Sequence, residues 1–299
     1  MLRTRVLTAV VLAPIILAIV LLGEPWMSLL IGVAAFLALV ELVGLLDAAG
    51  HEPPQMLTIV AGMGITAAGL VTTNDESVGG VVSHLVTALD PPGLVAASVV
   101  AAILLLGAVG FTRSDPRAGF MTWAMTSFGV AYVGLLLPAI ALVAHLAPAG
   151  GGPGTAVGPF GLGSGVAWAL MLVLVVWGYD TGAYLTGRWL GRRRLVEHIS
   201  PSKTVEGLAG GLVLATVAAG IGAALIGLEP WHPLIIGPLV GLAAQAGDLA
   251  ESMLKRAAGR KESGFLVPGH GGILDRVDSF MFAAPVLAGY ALLAAGRVA

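Results

Sequence analysis

The sequence predicts an all-α integral membrane protein: a polytopic bundle of about nine transmembrane helices with its N-terminus in the cytoplasm. Three observations predict it. Hydrophobic residues fill 57% of the 299 positions and charged residues only 11%, against about 25% charged in an ordinary soluble domain. The 17 acids and 15 bases are also clustered, leaving uncharged runs that mostly approach the roughly 20 residues a helix needs to cross the hydrocarbon core. The basic residues, finally, fall into alternate loops.

Dividing the runs at their Gly, Pro and polar interruptions gives nine spans. The first, near 6–22, follows Arg3 and Arg5 as a signal peptide would, but its apolar part is long and Gly23 to Trp26 offers no small-residue cleavage pattern. The second, 26–46, carries a lone acid, Glu41, expected near its inner end to meet interfacial water or face a cavity. The third and fourth lie near 56–73 and 94–112. A long uncharged run holds both the fifth, 121–146, and the sixth, 166–187, because its middle, Pro148 to Gly165, is rich in Gly and Pro and reads as a loop. The seventh, eighth and ninth are 205–228, 232–250 and 279–296. Gly207, Gly210, Gly211, Gly220 and Gly222 give the seventh a small face suited to close helix packing. Trp26, Trp123, Trp168 and Trp231 sit near span ends, where an interfacial belt belongs.

Counting bases loop by loop sets the orientation. With the N-terminus inside, the cytoplasmic segments hold Arg3 and Arg5, then Arg113 and Arg117, then Arg188, Arg192, Arg193, Arg194 and Lys203, then Lys255, Arg256, Arg260, Lys261 and Arg276. Only Arg297 is left outside. A missed or invented helix would scatter these charges over both faces. The acids divide differently. Glu24, Asp75, Glu76, Asp90 and Glu229 fall on the outer side, whereas Asp180, Glu206, Asp248, Glu251, Glu262, Asp275 and Asp278 gather at the inner ends of the last four spans.

The organisation is therefore one integral membrane domain over 1–299, with residues 1–150 mainly scaffold and 166–299 carrying the chemistry. The absence of cysteine excludes a disulfide framework, thiolate catalysis and thiolate metal sites. The net charge of −2 says nothing about nucleic acid, for which a basic footprint would have to be local, and nucleic acid is not an expected partner. His84 and His145 have no companion at ligand spacing and read as ordinary histidines.

Two stretches hold the polar detail. In QAGDLAESMLKRAAGRKESGFLVPGHGGILDRVDSF, residues 245–280, Asp248, Glu251, Ser252 and Lys255 share one helix face at i, i+3, i+4 and i+7. Asp275 and Asp278 form a second acidic pair, and Pro268, Gly269, Gly271 and Gly272 surround His270 in a turn. Carboxylates beside this many cations suit a polyphosphate held through hard divalent metal, because oxygen donors bind Mg²⁺ and bases neutralise the remaining phosphate charge. In WGYDTGAYLTGRWLGRRRLVEHISPSKTVEG, residues 177–207, Asp180 and Tyr184 are one turn apart, with Arg188 a candidate partner for Asp180. Ser200 to Thr204 cap the seventh span, where hydroxyls, backbone N–H groups and Lys203 make an anion site. A capping box, with Ser202 or Thr204 ahead of Glu206, is compatible with that.

The stretch from Ser252 through Lys255, Arg256 and Lys261 to PGHGGILDRVD, 268–278, closely resembles the signature of the phosphatidate cytidylyltransferase (CDP-diacylglycerol synthase) family. The block at 177–207 resembles the family's other stretch, with Asp180, Tyr184, Gly187, Gly191, Ser200, Pro201, Lys203, Thr204, Glu206 and Gly207 in place. One departure is Glu262, where the family usually has aspartate. The resemblance implies transfer of a cytidylyl group from CTP to phosphatidate, releasing pyrophosphate, at the inner face of a bacterial cytoplasmic membrane. It also implies catalytic roles for Asp248, Asp275, Lys255, Arg256 and Asp278. Asp248 and Asp275 would hold Mg²⁺, with Asp180 and Asp278 as further ligands and room for a second cation. Lys255, Arg256, Lys261 and Arg276 would face pyrophosphate, Ser200, Lys203 and Thr204 a phosphate, and Ser252, Tyr184 and His270 would complete substrate binding. Glycine-lined spans leave a homodimer as an expectation. Two alternatives stand beside this: a CTP-dependent polyprenol or dolichol kinase, and an ion-coupled transporter using Asp180 and Glu41.

Overall fold

The structure is a computed structural model that describes residues 2–73, 91–148, 151–266 and 271–295. It is helical almost throughout. In chain order the described helices are α1 (Leu2–Leu22), α2 (Trp26–Ala48), α3 (Gln55–Thr73), α4 (Pro91–Gly110), α5 (Pro116–Leu136) and α6 (Pro138–Ala144), then α7 (Ser164–Leu190), α8 (Val205–Ile226), α9 (Pro233–Ala257) and α10 (Leu274–Ala295). Two short antiparallel hairpins interrupt them: β1 (Ala156–Val157) with β2 (Leu162–Gly163), and β3 (Arg194–Val196) with β4 (Ser200–Thr204). Among the described residues seven helical segments are long and apolar enough to cross a membrane. They begin at Trp26, Pro92, Pro116, Ser164, Val205, Pro233 and Leu274, and the apolar stretches Val10–Leu22 and Gln55–Val71 are shorter. This is an all-α polytopic membrane protein.

Three spans differ from the sequence reading. The expected span 121–146 starts earlier, at Pro116 behind the N-cap Asp115, whose carboxylate accepts from the Arg117 and Ala118 N–H groups at 3.0 and 3.3 Å. It then breaks at Leu137, because Pro138 has no N–H to continue the helical ladder. The eighth span runs on to Ala257, which places Lys255 and Arg256 inside helix α9. The ninth begins at Leu274 instead of 279, so Asp275 lies in the first turn of α10.

The chain forms two compact units. The first comprises 1–8, 28–141 and 254–276, the second 9–27, 142–253 and 277–299. In the first, α3, α4 and α5 pack together around Ile65, Ala102, Leu106 and Val130. Trp123 donates its indole N–H to the Ile103 carbonyl at 2.9 Å.

In the second unit α7 and α8 pack along their length. A Cβ on Gly182 would sit 2.5 Å from the Gly210 carbonyl, and one on Gly210 would sit 2.1 Å from the Thr186 hydroxyl. Gly211 lies likewise against Tyr179, and Gly222 against Met171. The small face read on the seventh span is thus a packing face, except at Gly220, which has nothing within 4 Å. Trp26 and Trp231 are half-exposed, but Trp168 is buried and Trp123 is tied to the backbone of α4.

Candidate active site

The polar residues singled out in the sequence form two clusters, one in each unit. In the second unit, Lys203 Nζ lies 2.7 Å from Asp248 Oδ2, and the Ser252 hydroxyl donates to Asp248 Oδ1 at 3.3 Å. Lys203 and Ser252 thus converge on one carboxylate. Asp248 keeps 37% of its side-chain surface exposed while Lys203 keeps 16%. Asp248 is positioned from two sides. One turn earlier on α9, Gln245 accepts from the buried Tyr179 hydroxyl at 2.6 Å, which fixes α9 against the Asp180-bearing turn of α7. The residue before Asp248 is Gly247, where a Cβ would lie 2.3 Å from the Asp278 carbonyl. Only glycine lets the backbone of α9 come this close to the start of α10. Asp278 is buried there, and its carboxylate accepts from the Ser279 N–H at 2.6 Å.

The segment Ser200–Thr204 is a strand and not part of a helix. It pairs with Arg194–Val196, and the Val205 N–H continues the pattern by donating to the Arg193 carbonyl at 2.9 Å. Thr204 then caps α8, accepting from the Gly207 N–H at 3.0 Å. Glu206 does not close a capping box. It accepts instead from the Arg192 and Arg193 N–H groups, at 2.9 and 3.2 Å. The hairpin therefore delivers Lys203 to Asp248, and the Thr204 hydroxyl is committed to the cap. Arg188 does not take Asp180 as the sequence allowed; it donates to the Tyr184 hydroxyl at 2.7 Å. Asp180 and Tyr184 are exposed on α7.

In the first unit the centre is Asp275. Its Oδ1 accepts from Lys255 Nζ at 2.5 Å, and both side chains are nearly buried, 7% and 12% exposed. Its Oδ2 is within reach of three donors: the Gly272 N–H at 2.8 Å, the Ser263 N–H at 3.0 Å and the Ser263 hydroxyl at 2.9 Å. Gly271 makes room for this. It adopts φ +83°, and a Cβ on it would lie 2.7 Å from Asp275 Oδ2. Arg256, Lys261 and Arg276 are exposed, and Glu262 is half-buried with its side chain near Gly271. His270, Pro268 and Gly269 lie outside the described residues.

Sequence reasoning noted Glu41 as a lone acid in the second span but did not join it to these residues. It is 6% exposed and belongs to this cluster, accepting from the Ser263 hydroxyl at 2.9 Å, the Ile273 N–H at 2.9 Å and the Leu274 N–H at 2.8 Å. The available signal was one carboxylate inside an otherwise apolar span.

The sequence from residue 3 to 294 matches the model of the family described as "Cytidylyltransferase family". The chain belongs to the cytidylyltransferase family. Among relatives of this cytidylyltransferase are the phosphatidate cytidylyltransferases of Staphylococcus haemolyticus, 34% identical over 95% of this chain and 97% of the relative, and of Synechocystis, 30% identical over 95% and 94%. That of Bacillus subtilis is 48% identical over a shorter stretch, 44% of this chain and 48% of the relative.

Chemically, the two lysine–aspartate pairs give the cytidylyltransferase neutral units that an incoming anion can split. A carboxylate offers about four lone-pair sites. Asp248, partly exposed, keeps some of its own, and Asp275 keeps one on Oδ1 beside Lys255. These are hard oxygen donors of the kind Mg²⁺ uses, singly or in pairs, when substrate phosphates and water complete its shell. Among the described residues no three His, Asp or Glu side chains lie close enough together to hold a metal ion by themselves.

Proposed function

We propose that this chain is a phosphatidate cytidylyltransferase, moving a cytidylyl group from CTP to phosphatidate and producing CDP-diacylglycerol and pyrophosphate in a bacterial cytoplasmic membrane. The observation that carries this reading is the family match over residues 3–294, together with relatives of that name aligned over nearly their full length.

In the reaction a phosphatidate oxygen bonds to the α-phosphorus of CTP, and the bond from that phosphorus to the bridging oxygen of the β-phosphate breaks. The electron pair leaves with pyrophosphate. A phosphate monoester has its second pKa near 6, so the nucleophile is largely ionised at neutral pH and needs no strong general base. The site has to supply position and charge neutralisation.

Lys255 and Lys203 exchange their aspartates for phosphate oxygens when substrate enters, and Arg256, Lys261 and Arg276 neutralise the departing pyrophosphate. Ser200 and Ser252 orient phosphate by hydrogen bonds, and Tyr184 and His270 complete the substrate contacts. Asp248 and Asp275, with Asp180 and Asp278 as further acids, are the proposed ligands of nucleotide-bound Mg²⁺. When bound, that ion withdraws charge from the triphosphate and so eases its cleavage. The location fits both substrates if these residues face the cytoplasm, where CTP arrives, while the acyl chains stay in lipid.

The test supplies purified protein with CTP labelled at the α-phosphate, phosphatidate and Mg²⁺. Label entering lipid as pyrophosphate appears is the expected result. Release of labelled CDP with an unlabelled lipid product would assign a kinase instead.

A further inference from the structure

Glu41 stands in the second half of α2, 222 to 233 residues before its hydrogen-bond partners. A carboxylate at such a position is costly unless donors surround it, and its three hydrogen-bond partners among the described residues are neutral donors. Two of them are the N–H groups of Ile273 and Leu274, where α10 begins. The amides at a helix start lack partners within the helix and carry its positive dipole end. Here they are divided: Gly272 donates to Asp275 of the helix itself, and Ile273 and Leu274 donate to Glu41.

The third partner links the two acids. The Ser263 hydroxyl lies 2.9 Å from Glu41 Oε2 and 2.9 Å from Asp275 Oδ2. One hydroxyl has one proton to give, so it donates to one of the two carboxylates at a time, and its position between them couples the two acids. The cradle fits closely, since a Cβ on Gly272 would lie 2.1 Å from the Ser263 hydroxyl and 2.3 Å from Glu41 Oε2. With Oδ2 held from this side, the Asp275 carboxylate turns Oδ1 toward Lys255.

We infer that Glu41 is a positioning residue for the reaction, aiming Asp275 and Lys255 through Ser263 and the first amides of α10. This rests on the cytidylyltransferase reading, which makes Asp275 and Lys255 the groups that meet substrate. In Glu41→Gln the side chain keeps its size, but its NH₂ must face one of the donors that the carboxylate accepted from. Ser263→Ala removes only the bridge and leaves both acids their amide partners.

The experiment is a double-mutant cycle on the full-length purified protein, with kcat and KM for CTP measured together with the fraction folded. Binding of Mn²⁺ with CTP, in the absence of lipid, is followed in parallel by electron paramagnetic resonance. Outer partners of metal-binding carboxylates typically change activity or affinity by about 10- to 100-fold. Glu41→Gln is expected to lower kcat by at least about tenfold in that range, to weaken Mn²⁺ binding similarly, and to have a smaller effect on kcat in the Ser263→Ala background. A wild-type kcat in folded Glu41→Gln would overturn the inference, as would losses that add independently in the cycle. A wild-type protein that makes no CDP-lipid would overturn the functional reading instead, and the Mn²⁺ arm would then decide on Glu41 alone. Failure of wild type to bind Mn²⁺ with CTP would overturn both.

Discussion

Lys255 and Asp275 are 20 residues apart in the chain and 2.5 Å apart in space, in a pair from which water is nearly excluded. Removing one member of such a pair leaves the other buried without its counter-charge, at a cost of about 3 to 5 kcal/mol. Asp275→Asn is expected to abolish turnover and lower thermal stability, while Lys255→Met should lower kcat by about 10²- to 10³-fold, as loss of a single transition-state donor does. Activity per folded molecule together with the melting midpoint checks both. Full activity of either variant would remove this pair from the mechanism.

The Lys203–Asp248 pair should behave differently, because Asp248 keeps 37% of its side-chain surface exposed and can hydrate when Lys203 is lost. Partly exposed pairs contribute about 0 to 1 kcal/mol to stability. Lys203→Met should therefore leave the melting midpoint nearly unchanged and still raise the KM for CTP or lower kcat. Unfolding of that variant would show the hairpin β3–β4 to be held mainly by this contact.

Sequence reading reached Asp248, Ser252 and Lys255 because a helix repeats every 3.6 residues, and i, i+4 and i+7 state a shared face directly. It did not connect Glu41 to the Asp275 cluster because nothing periodic links α2 to a loop more than 220 residues downstream. Ser200–Thr204 was read as the cap of the seventh span, which Thr204 is, but the strand went unread for a related reason. Pro201 and two serines give little strand propensity, and it is pairing with Arg194–Val196 that makes the segment a strand. The break at Leu137 had a local cause in Pro138, but the surrounding apolar pattern concealed it.

The glycines of α8 give a paired prediction. At Gly210 an added methyl would meet Thr186 at 2.1 to 2.6 Å, whereas at Gly220 it meets nothing. Overpacking of this kind typically costs about 1 to 3 kcal/mol, while alanine in an open helical position gains about 0.5 to 1 kcal/mol over glycine. Gly210→Ala should lower the thermal midpoint and Gly220→Ala should hold or raise it. Equal effects at the two positions would rule out the α7–α8 contact as the reason for the small face.

His232, in the turn between α8 and α9, gives a pH dependence whose sign is fixed by its surroundings. Its ring lies 2.6 Å, Nδ1 to oxygen, from the Tyr290 hydroxyl and stacks on Trp231 at 3.8 Å, and it lines a cavity with Trp168, Ile226 and Ala291. Burial lowers its proton affinity below the ordinary histidine value, and the charge of Glu229 opposes that only in part. The unfolded chain then binds the proton more readily than the folded one, so unfolding is favoured as protons are added. Stability from this group is complete above the ordinary pKa of about 6.5 and falls as pH drops below it, by at most about 1.4 kcal/mol per unit. His232→Gln can still reach Tyr290 but cannot titrate. Its thermal midpoint should depend less on pH between about 6.5 and 5 than that of the wild type. Parallel pH profiles for the two proteins would mean that His232 is not the group responsible.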